Sequence, residues 1–149
     1  MIKVLVADHI DAEQLAPLRE GSRFKIVSDE KAAALERYDA VIVRSRTKVT
    51  AQFIAKAKNL KLIARAGTGV DNIDVDEATK RGIIVINAPG ANTVAVAELV
   101  FGLMLAGVRQ IARFDALVKS GGWKDKTFLG RELAGKTLGL AGFGRVARE

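Results

Sequence analysis

The sequence has no cysteine, a single histidine and only 5% aromatic residues. Without a thiol, no disulfide, thiolate metal site or cysteine nucleophile can form, a composition that suits a reducing compartment. The lone histidine, His9, follows the first apolar run and reads as a surface or capping residue rather than a general base. Carboxylates and histidine show no metal-ligand clustering, so no metal site is expected. Aromatics are too few, and basic residues too dispersed, to form a stacking platform along a nucleic acid. No apolar run reaches the roughly 20 residues of a spanning helix. The longest, 94–108, is interrupted by Glu98. The N-terminus lacks the apolar core and small-residue cleavage site of a signal peptide. These absences lead us to expect a soluble, cytoplasmic protein with neither nucleic-acid nor membrane partners.

What is present is a basic α/β pattern. Lys and Arg outnumber Asp and Glu by 24 to 17, a surplus that suits either a solvated basic surface or a local site for a small anion. With 149 residues the chain can bury one real core but is too short for two complete α/β domains. Short β-branched runs at 3–7, 24–27, 40–43, 61–64 and 83–86 alternate with helically spaced segments at 12–19, 32–37, 51–57 and 75–80. That alternation predicts a parallel sheet with helices on both faces. The strands are continuously apolar, as in a sheet buried on both sides. Thr50, Asp11 and Asp74 stand where N-caps belong, and Gly82 stands where a helix C′ glycine does. Residues 1–90 therefore read as a flavodoxin-like unit.

After Pro89-Gly90 the pattern changes. Apolar positions 94, 97, 101, 104, 108, 111, 114 and 118 step by three or four, predicting one helix of about 28 residues that ends at Gly121-Gly122. Its first half, apolar off that stripe as well, should be buried nearly all round. Trp123 is expected to pack a loop against the core or a partner subunit. A final strand at 136–141 runs into Gly142-Phe-Gly144-Arg145-Val146-Ala147. Glycines so spaced after a strand form a dinucleotide fingerprint: the first makes the turn and the second lets backbone approach a pyrophosphate. On its own this pattern fits a chance glycine turn equally well.

Two more segments could carry chemistry. Arg65-Ala-Gly67-Thr68-Gly69-Val-Asp-Asn follows the fourth strand, where open α/β sheets bind ligands. Its glycines would let N–H groups converge on an anion, and Arg65 could add a bidentate contact. Arg44-Ser-Arg46-Thr-Lys48 follows the third strand at the same end of the sheet. Each alone is also explained by a solvated loop. Facing one crevice, they would make a strongly positive pocket.

Together, Val43-Arg-Ser-Arg-Thr-Lys-Val-Thr, the Arg65–Asn72 segment, Asn87-Ala-Pro-Gly-Ala-Asn, Ala97-Glu-Leu and Leu133-Ala-Gly-Lys-Thr-Leu-Gly resemble the D-2-hydroxyacid dehydrogenases, nearest in pattern to their phosphoglycerate-oxidising members. The resemblance implies an α/β fold with a substrate-binding domain over 1–90. It also implies that 91–149 is the incomplete start of an NAD-binding Rossmann domain, with the long helix at its homodimer interface. The implied reaction is NAD-dependent oxidation of D-3-phosphoglycerate in serine biosynthesis, with glyoxylate or hydroxypyruvate as alternative substrates. Arg44, Arg65, Gly69 and Asn92 would meet the substrate's carboxylate or phosphate. Thr68 would lie near the nicotinamide, and Gly142, Gly144, Arg145, Val146 and Ala147 along the pyrophosphate. Ala147 departs from the usual third glycine. The family's catalytic histidine, glutamate and arginine are expected beyond residue 149, so the chain alone is expected to be inactive. Another possibility is a self-associating α/β module, even an intertwined or domain-swapped dimer, or a corepressor-like relative that uses the fold without the reaction.

Overall fold

Five of the β-branched runs become strands: β1 (Ile2–Val6), β2 (Phe24–Ser28), β3 (Ala40–Val43), β4 (Leu62–Arg65) and β5 (Ile84–Ile86). In the computed structural model, which describes residues 1–20, 23–29 and 34–149, they form one parallel sheet in the order β2-β1-β3-β4-β5. Val4 pairs with Ala40, and Val43 pairs with Arg65. Parallel neighbours require crossovers. These run through α1 (Ala16–Arg19), a 3-10 turn at Leu35–Arg37, α2 (Ala51–Lys56) and α3 (Val75–Lys80).

Local chemistry sets the helix ends. The Thr50 hydroxyl accepts from the Phe53 N–H at 3.3 Å, and the Asp74 carboxylate accepts from the Glu77 N–H at 3.0 Å. Beyond α3, Gly82 takes φ +68°, and the following Ile83 N–H reaches back to the Ala78 carbonyl at 2.9 Å. Such a reversal needs a residue without a Cβ. The core lies on one face of the sheet, where Leu5, Val41, Val43 and Ile63 pack against Ile54, Ala57, Leu60 and Ala78. The other face is less covered. It holds an apolar hollow of about 460 Å³ lined by Val4, Ile42, Leu62, Ala64 and Ile86, and the edge residue Ile84 is 63% exposed.

The chain divides into two compact units, Met1–Ala91, which contains this sheet, and Asn92–Glu149. In the second unit the expected single helix is two: α4 (Thr93–Arg109) and α5 (Ile111–Lys119), bent by 61°. The break is at Gln110, which takes left-handed backbone at φ +48°. The turn lets Phe114 pack against Phe128 in a tilted pair with ring centroids 4.8 Å apart, and it brings Arg113 to an ion pair with Asp125. Neither partner can be inferred from the apolar stripe. Near-complete burial of α4 is also not observed. Only Ala97 is buried, whereas Leu99 and Leu103 are 59% and 63% exposed, because the second unit offers little else to pack on. No single helix among the described residues is long and apolar enough to cross a membrane.

Other expectations also need correction. Residues 136–141 form no strand: a strand exists by pairing, and among the described residues the second unit holds no other strand to pair with. Trp123 is 79% exposed, so of its two expected seats, the core or a partner subunit, it does not take the first. Asp11 does not cap α1, whose N-cap is Leu15; its carboxylate instead lies 3.4 Å from His9 Nε2. Of the segment expected to be helical at 32–37, Ala32 and Ala33 lie outside the described residues, and Leu35–Arg37 is the 3-10 turn.

Candidate functional site

In this strand order the chain leaves β1 towards β2 on one side and β3 towards β4 on the other. The crevice between β1 and β3, at their carboxyl ends, is a topological switch point. Ligands of open α/β sheets bind at such points because the diverging loops leave a gap there. Asp8 and His9 emerge from β1 at this end, Arg44–Lys48 from β3 and Ala66–Asn72 from β4.

The structure joins the β3 and β4 loops directly. Arg65 Nε donates to the Arg44 carbonyl at 3.3 Å, and Asn72 Nδ2 donates to the carbonyls of Arg44 and Thr47 at 2.8 and 2.6 Å. The two segments are further tied by a parallel bridge between Val49 and Ile73. Arg65 Nη1 meets Asp71 Oδ1 at 3.1 Å; the Arg65 side chain is only 11% exposed, whereas that of Asp71 is open to solvent. A Cβ on Gly69 would come within 2.7 Å of both Arg65 Nη1 and Asp71 Oδ1. Gly69 therefore clears the path of this ion pair. Behind it, Asn87 Nδ2 donates to the Thr68 carbonyl at 2.6 Å and the Ala88 N–H to the Gly67 carbonyl at 3.0 Å, pinning the turn to the end of β5.

The residue that orders the β3 loop was missed by sequence reasoning. Asp8, buried at 4% exposure, accepts the Arg44 N–H at 2.6 Å, the Thr47 N–H at 3.1 Å and the Thr47 hydroxyl at 2.6 Å. Burial on its own would raise its pKa. The Thr47 hydroxyl and the amides of Arg44, Thr47 and Arg46 together outweigh it and hold the carboxyl below its ordinary value. The only available signal was a carboxylate placed directly after an apolar strand, which is too common to single out. Arg44, Arg46 and Lys48 remain on the exposed outer side of the loop, and Arg44 Nη1 reaches the His9 carbonyl at 3.3 Å. Between the loops a polar cleft of about 510 Å³ is lined by Ser45, Lys48, Thr50, Asp71, Asn72 and Asp74.

Thus Arg44, Arg65, Thr68 and Gly69 share one end of the first unit. Asn92 and the Gly142–Ala147 segment belong to the second. There Asn92 is the N-cap residue of α4. Gly142 adopts φ +107°, and Gly144 precedes the four-residue α6 (Arg145–Arg148). The glycine turn and the helix start exist; the paired strand expected before them does not.

The family model described as D-isomer specific 2-hydroxyacid dehydrogenase, catalytic domain, matches residues 4–142. The chain belongs to this family. It is 48% identical over 153 residues to the D-3-phosphoglycerate dehydrogenase of Archaeoglobus fulgidus, covering 99% of this chain and 29% of that protein. To the hydroxypyruvate reductase of Thermotoga maritima it is 47% identical, over 99% of this chain and 50% of the relative. Among solved structures, a D-lactate dehydrogenase from Aquifex aeolicus, complexed with NAD and lactic acid, superposes with a TM-score of 0.84 at 28% identity, over 98% of this chain and 46% of that one. The chain therefore spans half or less of the length of these relatives. Membership of the family gives the Arg44 and Arg65 loops a common context, a fold whose members are 2-hydroxyacid oxidoreductases.

Proposed function

We propose that the chain carries the substrate-holding part of an NAD-dependent D-3-phosphoglycerate dehydrogenase, which converts D-3-phosphoglycerate and NAD to 3-phosphohydroxypyruvate and NADH in serine biosynthesis. The observation that carries this reading is the meeting of the Arg44 and Arg65 loops at the carboxyl ends of β3 and β4, beside the switch point of the sheet. A guanidinium presents a planar fork of donors that matches carboxylate and phosphate alike, so two arginines suit a substrate carrying both groups. In this reading Arg44 and Arg65 hold the anionic ends, and the Gly69 backbone lies against the substrate. The resemblance to the Archaeoglobus enzyme favours phosphoglycerate; that to the Thermotoga enzyme supports hydroxypyruvate or glyoxylate as the alternative.

The dinucleotide turn fits its group only partially. Gly142 has backbone that only glycine adopts readily, a Cβ at Gly142 or Gly144 would meet nothing within 4 Å, and Gly144 leads into a helix start without a side-chain cap. Here Gly142, Gly144, Arg145, Val146 and Ala147 would hold the cofactor's pyrophosphate. The nicotinamide cofactor, when bound, would supply the acceptor for a hydride from the substrate's hydroxyl-bearing carbon. The hydroxyl must lose its proton to a base within hydrogen-bond reach. His9 is a poor candidate, since its side chain is 75% exposed and pairs with Asp11. In this reading the chain by itself holds substrate without turning it over. The exposed apolar positions of α4 and α5 are assigned to self-association, because a patch of that kind is costly to leave in water.

Titration of the purified 149-residue chain with D-3-phosphoglycerate, glyoxylate and hydroxypyruvate, read by amide NMR, tests the proposal. The phosphate-bearing acid should bind most tightly and shift signals in the Arg44 and Arg65 loops, with no NADH formed when NAD is added. Preference for an acid without phosphate would move the reading to its alternative. Binding of none, or measurable NADH, would overturn it.

A further inference from the structure

Under the cationic loop lies a carboxylate, which is an odd neighbour for a site meant to attract anions. Asp8 is the charged side chain found buried among the described residues, and every bond described for it goes to the loop that carries Arg44. Its oxygens collect main-chain N–H groups of Arg44, Thr47 and Arg46 and the Thr47 hydroxyl. The loop is thus wrapped round the chain's own anion as it would be round a bound one. The peptide groups flanking Arg44 are gripped from both sides. Its N–H is taken by Asp8 at 2.6 Å, and its carbonyl receives Asn72 Nδ2 at 2.8 Å and Arg65 Nε at 3.3 Å. Even the guanidinium touches the β1 end, through the His9 carbonyl.

We infer that Asp8 is a positioning residue of the anion site. It acts through the Arg44 main chain, fixing the distance between the Arg44 and Arg65 side chains and so deciding which anions both can hold at once. The inference rests on the reading of these loops as the substrate site. Two effects of the carboxylate have opposite signs, and this makes the inference testable. By Coulomb's law alone a negative charge beneath Arg44, Arg46 and Lys48 weakens anion binding, so its removal should tighten it. As a geometric clamp it strengthens binding by preorganisation, so its removal should loosen it. A group that only stabilised the fold would leave affinity in the folded variant unchanged or, through its charge, improved.

Asp8→Asn keeps the size of the side chain but removes the charge and sets an NH2 against donors. Thr47→Val keeps the charge and removes the hydroxyl that Asp8 receives. Both variants of the 149-residue chain are titrated with D-3-phosphoglycerate and, separately, with inorganic phosphate, by amide NMR that also reports folding. In the unmodified chain the Arg44 and Thr47 amide signals should lie far downfield and move as Asp8 titrates in acid. In Asp8→Asn that movement should vanish. Affinity for phosphoglycerate should fall about tenfold, the lower end of the worth of one charge-assisted hydrogen bond, and by less for inorganic phosphate, which one arginine can hold. Thr47→Val should weaken binding in the same direction, and it decides the matter if Asp8→Asn does not fold. Equal or tighter binding by the folded variants overturns the positioning role and leaves the substrate site standing. Failure of the unmodified chain to bind either ligand removes the substrate site, and this inference with it.

Discussion

Gly69 offers the sharpest separation of binding from stability. A Cβ at this position would lie 2.7 Å from Arg65 Nη1 and from Asp71 Oδ1, so Gly69→Ala must drive apart groups now 3.1 Å from each other. Both offending atoms are ends of flexible side chains, and Asp71 is 81% exposed and free to swing away. Gly69 is not among the glycines with positive φ, so the alanine backbone is unstrained. The lost ion pair, open to solvent on one side, is worth at most about 1 kcal/mol. For a unit of this size that corresponds to a melting shift of no more than about 4–8 °C. Binding should suffer more. If the alanine methyl turns Arg65 from its place beneath the Arg44 carbonyl, one charge-assisted contact of about 1.5–3 kcal/mol is lost, or roughly 10- to 100-fold in affinity. Thermal denaturation and a phosphoglycerate titration on the same preparation give both numbers. A melting temperature lowered well beyond this range with affinity retained would refute the reasoning, since it would make Gly69 a folding residue.

Further outcomes follow from the same geometry. Ile63→Ala, at a site with 0% exposure on the inner strand β4, should cost about 2–5 kcal/mol in denaturant unfolding. Removal of the α3 cap by Asp74→Ala should cost about 1 kcal/mol, measured the same way. The Asp8 pKa is lower in the fold than its ordinary 3.8. Its ionisation therefore adds stability that is fully present above pH 3.8 and is lost as the pH falls through the lower, folded value. Unfolding followed from about pH 5 to about pH 2 should show less acid sensitivity in Asp8→Asn than in the unmodified chain, and parallel curves would contradict the assignment. Leu103→Glu, on the exposed face of α4, should leave the melting of the sheet unit unchanged and shift light scattering towards monomer. An unaltered assembly would remove that face from the proposed interface.

Much of the fold was legible in the order of residues. Strand and helix periods, the caps at Thr50 and Asp74 and the reversal at Gly82 depend on neighbours within a few positions, so their chemistry is written locally. The motif at Arg65–Asn72 carried the family for a similar reason, as a contiguous run whose glycines have definite tasks. The break at Gln110 was not legible, because no proline or glycine marks it and its gain is the packing of Phe114 on Phe128 across the loop. The apolar content of α4 spoke for burial, but whether a face is covered depends on what packs against it.

The sequence by itself determined that strands would alternate with helices, where the glycine turns would fall and which arginines would stand at strand ends. Only the tertiary structure decided that two of those strand ends meet, that Asn72 and Arg65 both bond to the Arg44 carbonyl, and that Asp8 lies beneath. Asp8 finds its partners 36 and 39 positions away. Such contacts are set by the order and register of the strands, which no local window of residues contains.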